Sequence, residues 1–566
     1  MIGTHLLPLE SFREFAAGSS DAAGREVLRS AQLNKHLLLL RELSDRANGT
    51  LRQEAARADW TASLDLLVRV DHAYPAETRA VLAYPHVGAW LITCLDWHTS
   101  PLWIDLAHIG SIAAAAAIRA GEDFSVTTPV RGGRVHLPTL GAVEVKTTQT
   151  LVTTHGSAGR YWVDDGGTRV TLPEELGFAH PHWLGLRRLA GTSITLDDID
   201  PYRPNARVGF AERLSADDFA EWDQRFHTAL NLLGTDGRTW AVETAGLISS
   251  VVPLRQPTHD VGISITSRDA FGSFSTTLPA RTEDLAATLV HESQHNKLGA
   301  LHTLIPLVKG KTTDRYYSPW RSDTRPAYGL LHGCYAFAAV ADFWFTDIRD
   351  NPLAAFQFLR SARQVNLALT TLTGCGQLTS EGVEFVASLS RKTETWRLGD
   401  VAADIRTTVD DLLDNHWITW CLANRSVDVT SVAARWVSGS DPGQLPEPVL
   451  VDTVSHAFTA GPRLLLATQR LADPAGFTAS QHREASAEIA LAEHDYPKAR
   501  SLFADLVHNN NVTTWSGLAL AASRTDGPVI WLERPELIMA VHRRLAEKLD
   551  RPPAPDAIAG WLASGR

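Results

Sequence analysis

Residues 282–308 of the chain read TEDLAATLVHESQHNKLGALHTLIPLV. Its apolar residues recur at helical spacing. Glu283 and Asp284 stand in the first turn, where acidic side chains suit the positive end of the helix dipole. The pattern predicts one helix from residue 282 to about Val308.

This predicted helix carries the letters HESQH, an HExxH motif. His291 and His295 are four residues apart, about 40° out of phase and roughly 6 Å apart along the axis, so both imidazoles can face one metal ion. Glu292 stands about 100° further round, where its carboxylate can address a metal-bound water. The motif predicts a metal centre held by His291 and His295. The alternative is a pair of hydrogen-bonded structural histidines.

A mononuclear site needs a third protein ligand. His302 lies on the same predicted helix, but it is about 10 Å of helical rise away from His295 and cannot share the ion. The next predicted helix, from about Arg325 to Phe345, contains no glutamate and offers His332. We predict His332 as the third ligand, with Asp342 as the reserve. The alternative for His332 is a core histidine bonded to a carbonyl.

The stretch DRYYSPWRSDTRPAYG, residues 314–329, links the two predicted helices. A guanidinium from Arg321 or Arg325 can clamp a carboxylate through two parallel charge-assisted hydrogen bonds, and the hydroxyl of Tyr317 can add a third. These side chains are the predicted binding residues for a carboxylate-bearing cofactor. Ordinary salt bridging within a loop is the alternative interpretation.

Strand-like sequence directly precedes the motif helix. Residues 261–278 read VGISITSRDAFGSFSTTL, with β-branched and aromatic residues at strand-like spacing. An exposed strand edge can take up an extended peptide by adding it to the sheet. The order of a strand followed by an HExxH helix is also found in zinc peptidases, so a peptide substrate is compatible with this part of the chain.

Composition indicates a folded, acidic protein. Of the 566 residues, 44% are hydrophobic and 21% are charged, and the net charge of −11 includes no prominent Lys/Arg block. The chain is therefore predicted to have no nucleic-acid partner. Four cysteines without a CxxC pair indicate reduced thiols, and no window reaches the roughly 18 uncharged apolar residues of a membrane span. We expect a cytoplasmic protein with no membrane partner, and its oligomeric state is left open.

The pattern of the sequence changes along the chain. Helical spacing dominates residues 1–120, β-branched runs cut by glycines fill 121–214, and helices resume over 215–425 and 426–566. In the last segment, ASAEIALAEHDYPKARSLFADLV followed by TWSGLALA resembles a tetratricopeptide unit and the start of another. The predicted fold is α+β and predominantly α-helical. Its parts are an N-terminal helical segment, a small antiparallel β unit, a catalytic domain with a zincin-like HExxH helix pair, and a C-terminal TPR-like region.

The run from HESQHNKLGALH (residues 291–302) through YYSPWRSDTRPAYGLLHGCYAFAAVADFW (residues 316–344) resembles a known family. This is the HExxH-containing peptide-modification family of bacterial peptide natural-product clusters, whose members are 2-oxoglutarate-dependent peptide β-hydroxylases. The resemblance implies Fe(II) as the metal, with 2-oxoglutarate and O2 as co-substrates and a ribosomally synthesised precursor peptide as the partner. It also implies roles for five residues: His291, His295 and His332 as the metal ligands, and Arg321 or Arg325 at the 2-oxoglutarate carboxylate.

Three functions are therefore open. The first is an Fe(II)/2-oxoglutarate-dependent oxygenase (a dioxygenase) that hydroxylates the β-carbon of a residue in a precursor peptide, with Glu292 orienting a ligand or water. The second is a zinc metallopeptidase in which Glu292 is the general base, which the lack of a downstream glutamate ligand disfavours. The third is a non-catalytic peptide-binding protein built on helical hairpins, suggested by the TPR-like unit alone.

Overall fold

The structure is a computed structural model that describes residues 5–96, 101–204, 209–235, 239–255, 262–310, 312–346, 348–349, 351–451, 461–472, 483–507 and 511–565. The chain divides into two compact units, Met1–Pro306 and Leu307–Arg566. The boundary falls within residues 215–425, the segment predicted as the catalytic domain. The motif helix thus belongs to the first unit, and the helix that carries His332 belongs to the second.

The first unit begins with seven described helices, as the helical spacing of residues 1–120 predicts. They are α1 (Leu9–Ala16), α2 (Ala22–Asn48), α3 (Arg52–Arg57), α4 (Trp60–Ala73), α5 (Pro75–Leu82), α6 (Pro85–Asp96) and α7 (Leu102–Ala120). The side chain of Asp21 starts α2 by accepting a hydrogen bond from the amide of Gly24. Proline stands at the first position of α5 and of α6, where its missing N–H costs no helical hydrogen bond.

Helix α7 forms the centre of this unit. Every residue from Asp105 to Ile118 is buried, and a side chain at Gly110 would collide with the carbonyl oxygen of Thr127 in the adjoining strand. Among the described residues, α7 is the one helix long and apolar enough to cross a membrane, but 78% of its apolar window is buried inside the protein. This burial is typical of a core helix.

Three sheets complete the first unit. Their strands are β1 (Phe124–Pro129), β2 (Arg134–Leu137), β3 (Gly141–Glu144), β4 (Leu151–Ser157), β5 (Arg160–Asp164), β6 (Arg169–Thr171), β7 (Trp183–Gly185), β8 (Arg187–Arg188), β9 (Thr195–Leu196), β10 (Ser250–Pro253), β11 (Ser264–Thr266) and β12 (Ser273–Thr276). The sheet β1-β4-β5-β6 and the sheet β2-β3-β7 are antiparallel, as predicted for residues 121–214.

The third sheet has the strand order β11-β12-β10-β9-β8 and is mixed rather than antiparallel. Strand β10 runs parallel to both β9 and β12. Parallel neighbours need a crossover connection, and between β9 and β10 this connection contains α8 (Ala216–Leu233) and α9 (Trp240–Leu247). Ser215 caps α8 by accepting a hydrogen bond from the amide of Asp218. The motif helix α10 (Thr282–Leu304) follows β12.

The second unit is almost entirely helical. Its helices are α11 (Ala327–Phe345), α12 (Pro352–Gly374), α13 (Ser380–Thr393), α14 (Ala403–Asn424), α15 (Thr430–Val437), α16 (Pro462–Ala472), α17 (Arg483–Ala492), α18 (Tyr496–Ala504), α19 (Val512–Ser523), α20 (Ile530–Glu533), α21 (Pro535–Ala546) and α22 (Pro555–Ser564). Two short strands, β13 (Arg425–Ser426) and β14 (Val449–Leu450), form a small antiparallel pair. The predicted α+β, mainly helical class is therefore confirmed.

The stretch with tetratricopeptide-like sequence forms consecutive helices α17, α18 and α19. Asp495 caps α18 by accepting a hydrogen bond from the amide of Lys498. Trp515 and Leu518, the two residues that match the start of the repeat, are buried on α19 in the core of the unit. The helical hairpin is present, and a tetratricopeptide arrangement stays a prediction.

Candidate functional site

Helix α10 positions the HExxH residues. It begins at Thr282 as predicted and ends at Leu304, four residues before the predicted end. The early end has a local cause, because the residue before a proline is sterically disfavoured in the helical conformation. Ile305 precedes Pro306 and is extended, with φ −129°.

The structure brings His291 and His295 together on one side of α10. Their ring centroids are 4.4 Å apart and their planes meet at 82°. Both residues are half-buried, whereas their neighbours Glu292 and Asn296 are buried. Two imidazoles in this arrangement offer adjacent nitrogen donors at a partly accessible surface, which is the chemistry expected of two metal ligands.

Glu292 faces the sheet. Its side chain is buried, and its two carboxylate oxygens accept hydrogen bonds from the hydroxyls of Ser264 (2.6 Å) and Thr266, both on β11. Burial raises the pKa of Glu292 to about 7, against the opposing effect of the two hydroxyls. Because both oxygens are engaged, Glu292 joins the helix to the strand.

The next turn of α10 is fixed by further buried polar contacts. The side-chain oxygen of Asn296 accepts a hydrogen bond from the amide of Gly272 (2.7 Å). The ammonium of Lys297 is fully buried, lies 3.3 Å from the carboxylate of Glu243 and donates to the carbonyls of Gly18 (2.9 Å) and Ser19 (3.0 Å). A buried Lys with these partners holds α10 against α9 and the segment between α1 and α2. No sequence pattern predicts this role, because the partners are distant along the chain.

Strand β11 is the last strand of the five-stranded sheet in the described part of the chain. Next to it, Ile263 exchanges hydrogen bonds with Thr277 on the β12 side, through its amide (3.0 Å) and its carbonyl (2.9 Å). Backbone groups alternate in direction along a strand, so those of Ser264 and Thr266 point away from β12. The stretch predicted as a peptide-docking edge thus contains an edge strand, although its first residue, Val261, lies outside the described residues.

In the second unit, the predicted clamp residues Arg321 and Arg325 share one carboxylate. Arg321 Nε donates to one oxygen of Asp323 (2.8 Å), and Arg325 Nη1 donates to the other (3.2 Å). Burial raises the pKa of Asp323, but its hydrogen bonds and the charge of the two arginines outweigh this effect and hold that pKa below its usual value. The structure therefore brings the two arginines together.

Tyr317 takes a different position from the two arginines. Its hydroxyl is 2.8 Å from Nδ1 of His416 on α14, and its ring packs edge-on against Trp417 and Trp420. Burial raises the pKa of Tyr317 well above its usual value and lowers the pKa of His416 to about 4. Tyr317 is thus part of the packing around α14, and its predicted cofactor role is the least supported of the three.

The predicted third ligand, His332, lies in the second turn of α11, where its ring is 5.5 Å from the ring of Tyr328. The next residue, Gly333, lies against the indole of Trp320. A side chain at position 333 would collide with this indole, so the glycine serves the packing of Trp320. The reserve ligand Asp342 accepts a hydrogen bond from Trp396 Nε1 (2.8 Å) and pairs with Lys392 (2.5 Å). Asp342 therefore has a structural role within the second unit, and His332 stays the predicted ligand.

The described residues also contain a group that the sequence interpretation missed. His86, Asp197 and Asp200 are buried and place one ligand atom each within 4.8 Å of one another, so they could hold a metal ion. The sequence around His86 is typical of a core helix. The only sequence signal is the acidic run DDID at residues 197–200, which alone predicts no histidine partner.

Comparison with known proteins identifies no relative of this chain. No family model matches the sequence, and no curated protein is significantly similar to it. The resemblance to the HExxH peptide-modification family therefore remains a prediction from the motif and its surroundings.

Proposed function

We propose that this chain is a cytoplasmic Fe(II)- and 2-oxoglutarate-dependent oxygenase that hydroxylates the β-carbon of a residue in a ribosomally synthesised precursor peptide. The observation that carries the proposal is the pair of adjacent, half-buried imidazoles of His291 and His295 on α10. Imidazole ligands with open coordination positions suit Fe(II), which with 2-oxoglutarate supplies the activation of O2. His332 is the proposed third ligand.

The surroundings of Glu292 favour an oxygenase over a peptidase. A peptidase base must take a proton from the metal-bound water, whereas both oxygens of Glu292 accept hydrogen bonds from Ser264 and Thr266. This geometry suits a positioning residue, which fixes the rotation of α10 and so the direction of the imidazoles. Zinc peptidase activity is therefore the second candidate.

The arginines of the second unit can still take a carboxylate. Their side chains are 31% and 36% exposed, so a carboxylate from solvent can reach both guanidinium groups. Arg325 or Arg321 is the proposed partner of the 2-oxoglutarate carboxylate. Asp323 then fixes the direction of the two guanidinium groups.

Strand β11 supports a peptide as the substrate. Its outward backbone groups, at Ser264 and Thr266, can add an extended peptide as a further strand, and the side chains of the same residues hold Glu292 next to the two histidines. A peptide docked on this edge would run along the helix that carries the proposed metal ligands. The same edge would also serve a peptidase, so it supports the substrate class and not the reaction.

The test is a reaction of the purified full-length protein with Fe(II), 2-oxoglutarate, O2 and the precursor peptide encoded beside it. We expect succinate and a peptide heavier by one oxygen atom, both lost in His291→Ala. The matched control is His302→Ala, a half-buried histidine on the same helix, which should keep activity. Peptide cleavage by the zinc-loaded protein would instead establish the peptidase. Equal activity of His291→Ala and wild type would refute both reactions at this site.

A further inference from the structure

A second group of metal-binding side chains lies in the first unit. His86 stands in the first turn of α6, and Asp197 and Asp200 follow β9. His86 Nδ1 is 3.1 Å from Oδ2 of Asp197 and 3.8 Å from Oδ1 of Asp200, and the three side chains are 1%, 1% and 6% exposed. Distances of this size between ligand atoms are what a shared small cation requires, since each atom would lie about 2.0–2.2 Å from the ion.

The two carboxylates are held in place by the backbone. Asp197 Oδ1 accepts the amides of Ile199 (3.1 Å) and Asp200 (2.9 Å), and Oδ1 of Asp200 accepts the amide of Tyr202 (2.8 Å). The hydroxyl of Tyr84 donates to Asp197 Oδ2 at 2.5 Å. These bonds orient the carboxylates without any contribution from a cation, so the donor atoms are already arranged.

The two carboxylates of this cluster have few direct ion-pair partners. In the part of the chain that the structure describes, no Lys or Arg nitrogen lies within 4 Å of the carboxylate oxygens of Asp197 or Asp200, and His86 is their shared ion-pair partner. Arg203 Nε donates instead to the backbone carbonyl of Asp200 (2.8 Å). The neighbouring carboxylate of Asp198, in contrast, pairs with both Arg187 (2.5 Å) and Arg213 (2.6 Å). Two buried carboxylates that share one imidazole carry a desolvation cost that a divalent cation would offset.

A small cavity adjoins the cluster. It has a volume of about 10 Å³, room for about one water molecule or ion, and its walls include Asp197, Asp200, His136 and Thr139. His136 is 7% exposed, and neither its Nδ1 nor the buried hydroxyl of Thr139 has a hydrogen-bond partner among the described residues. Nε2 of His86 is also buried without a partner. Such atoms are rare in folded proteins, and here they meet around two carboxylates.

We propose that His86, Asp197 and Asp200 bind a divalent transition-metal ion, and that the adjoining cavity holds a water molecule as the fourth ligand. Imidazole and carboxylate ligands in a four-coordinate site are the chemistry of Zn²⁺. The site is structural, because its ligands are buried and leave no path for a substrate. It ties α6 to the loop after β9. The metal-free alternative is a protonated His86 paired with Asp197.

The experiment starts from full-length His291→Ala/His295→Ala, so that the site on α10 cannot contribute and the result is independent of the proposed oxygenase. After treatment with a chelator and reloading with Zn²⁺, elemental analysis should find about one zinc per chain. Zinc should also raise the melting temperature, since an ion that binds only the folded state stabilises it. Absence of both effects would overturn the proposal and would leave the metal-free ion pair.

Two further variants, each made in the His291→Ala/His295→Ala protein, test whether the ion binds to His86, Asp197 and Asp200. Asp200→Asn keeps the oxygen that accepts the Tyr202 amide but removes the charge, and it should reduce bound zinc to background. The matched control is His36→Gln, a buried histidine of the same unit whose Nδ1 bonds to the carbonyl of Leu82. It should keep the zinc. Full zinc binding by folded Asp200→Asn, shown by its circular dichroism, would place the ion elsewhere and refute the assignment.

Discussion

At the scale of single residues, burial separates the polar side chains of the motif helix by role. His291 and His295 are half-buried and offer adjacent nitrogens, whereas Glu292 and Lys297 are buried and satisfied by partners within the first unit. A buried charge or carboxyl group with several partners stabilises one arrangement of the backbone. The proposed metal ligands and the supporting residues of α10 thus differ in access and in hydrogen bonding.

Glu292→Gln distinguishes a positioning role from a general base. Glutamine keeps an oxygen for one of the hydroxyls of Ser264 and Thr266, so α10 should keep its place. We expect the hydroxylation rate to stay within about tenfold of wild type, whereas loss of a general base costs about 100-fold or more. Rates with the precursor peptide, measured as succinate formed, check this. A loss of 100-fold or more in a folded variant would contradict a purely positioning role for Glu292.

Tyr317→Phe tests whether Tyr317 supports the helices or binds 2-oxoglutarate. The change leaves half-buried His416 without the hydroxyl at 2.8 Å, so we expect a loss of about 1–3 kcal/mol of unfolding free energy. The KM for 2-oxoglutarate should stay unchanged. Urea denaturation and steady-state kinetics measure the two effects. Arg325→Lys is the comparison, because loss of the planar guanidinium should raise the KM for 2-oxoglutarate. A raised KM for 2-oxoglutarate in Tyr317→Phe would instead support the predicted cofactor-binding role of Tyr317.

At the scale of elements, the sequence predicts what is local. The start of α10 and the adjacency of His291 and His295 both follow from spacing and from the first residues of a helix. The mixed sheet could not be predicted, because the pairing of β9 with β10 spans the whole of α8 and α9. The cluster of His86 with Asp197 could not be predicted for the same reason, because the two residues are distant in sequence.

The contact between α2 and the end of α5 should make stability depend on pH. His36 is buried with Nδ1 2.8 Å from the carbonyl of Leu82, and burial lowers its pKa from 6.5 to about 4. The unfolded chain binds a proton below pH 6.5, and the folded protein does so only near pH 4. Stability from His36 is therefore present above pH 6.5 and is lost as pH falls towards 4, by up to about 3 kcal/mol.

His36→Gln isolates this effect, because glutamine does not titrate. The variant should lose less unfolding free energy than wild type between pH 7 and pH 4.5, although it is less stable at pH 7 through poorer packing. Urea denaturation at the two pH values gives the difference. Exposed His72 on α4 provides the control, and His72→Gln should follow the wild-type profile. Parallel profiles for His36→Gln and wild type would contradict the assignment.

At the scale of the whole molecule, each unit has its own hydrophobic core. One cluster surrounds α7 and the two antiparallel sheets of the first unit, and another surrounds Trp515 and Trp531 of the second. Each unit also has a buried cation, Lys297 in the first and Arg463 in the second. Arg463 pairs with both oxygens of Glu488 (2.7 and 2.9 Å) and donates to Ser516 (2.8 Å), so it links α16, α17 and α19.

Separate cores predict separate responses to the loss of these cations. Removing one partner of a buried pair costs about 3–5 kcal/mol because the other charge is left uncompensated. In Arg463→Met we expect faster amide hydrogen exchange in α16–α19 and unchanged protection in α7 and β1, because the latter elements belong to the first core. Lys297→Met should instead give faster amide hydrogen exchange in α9 and α10 and unchanged protection in α16–α19. Hydrogen exchange read by mass spectrometry resolves these segments, and the same increase in every segment for both variants would show that the two cores unfold as one.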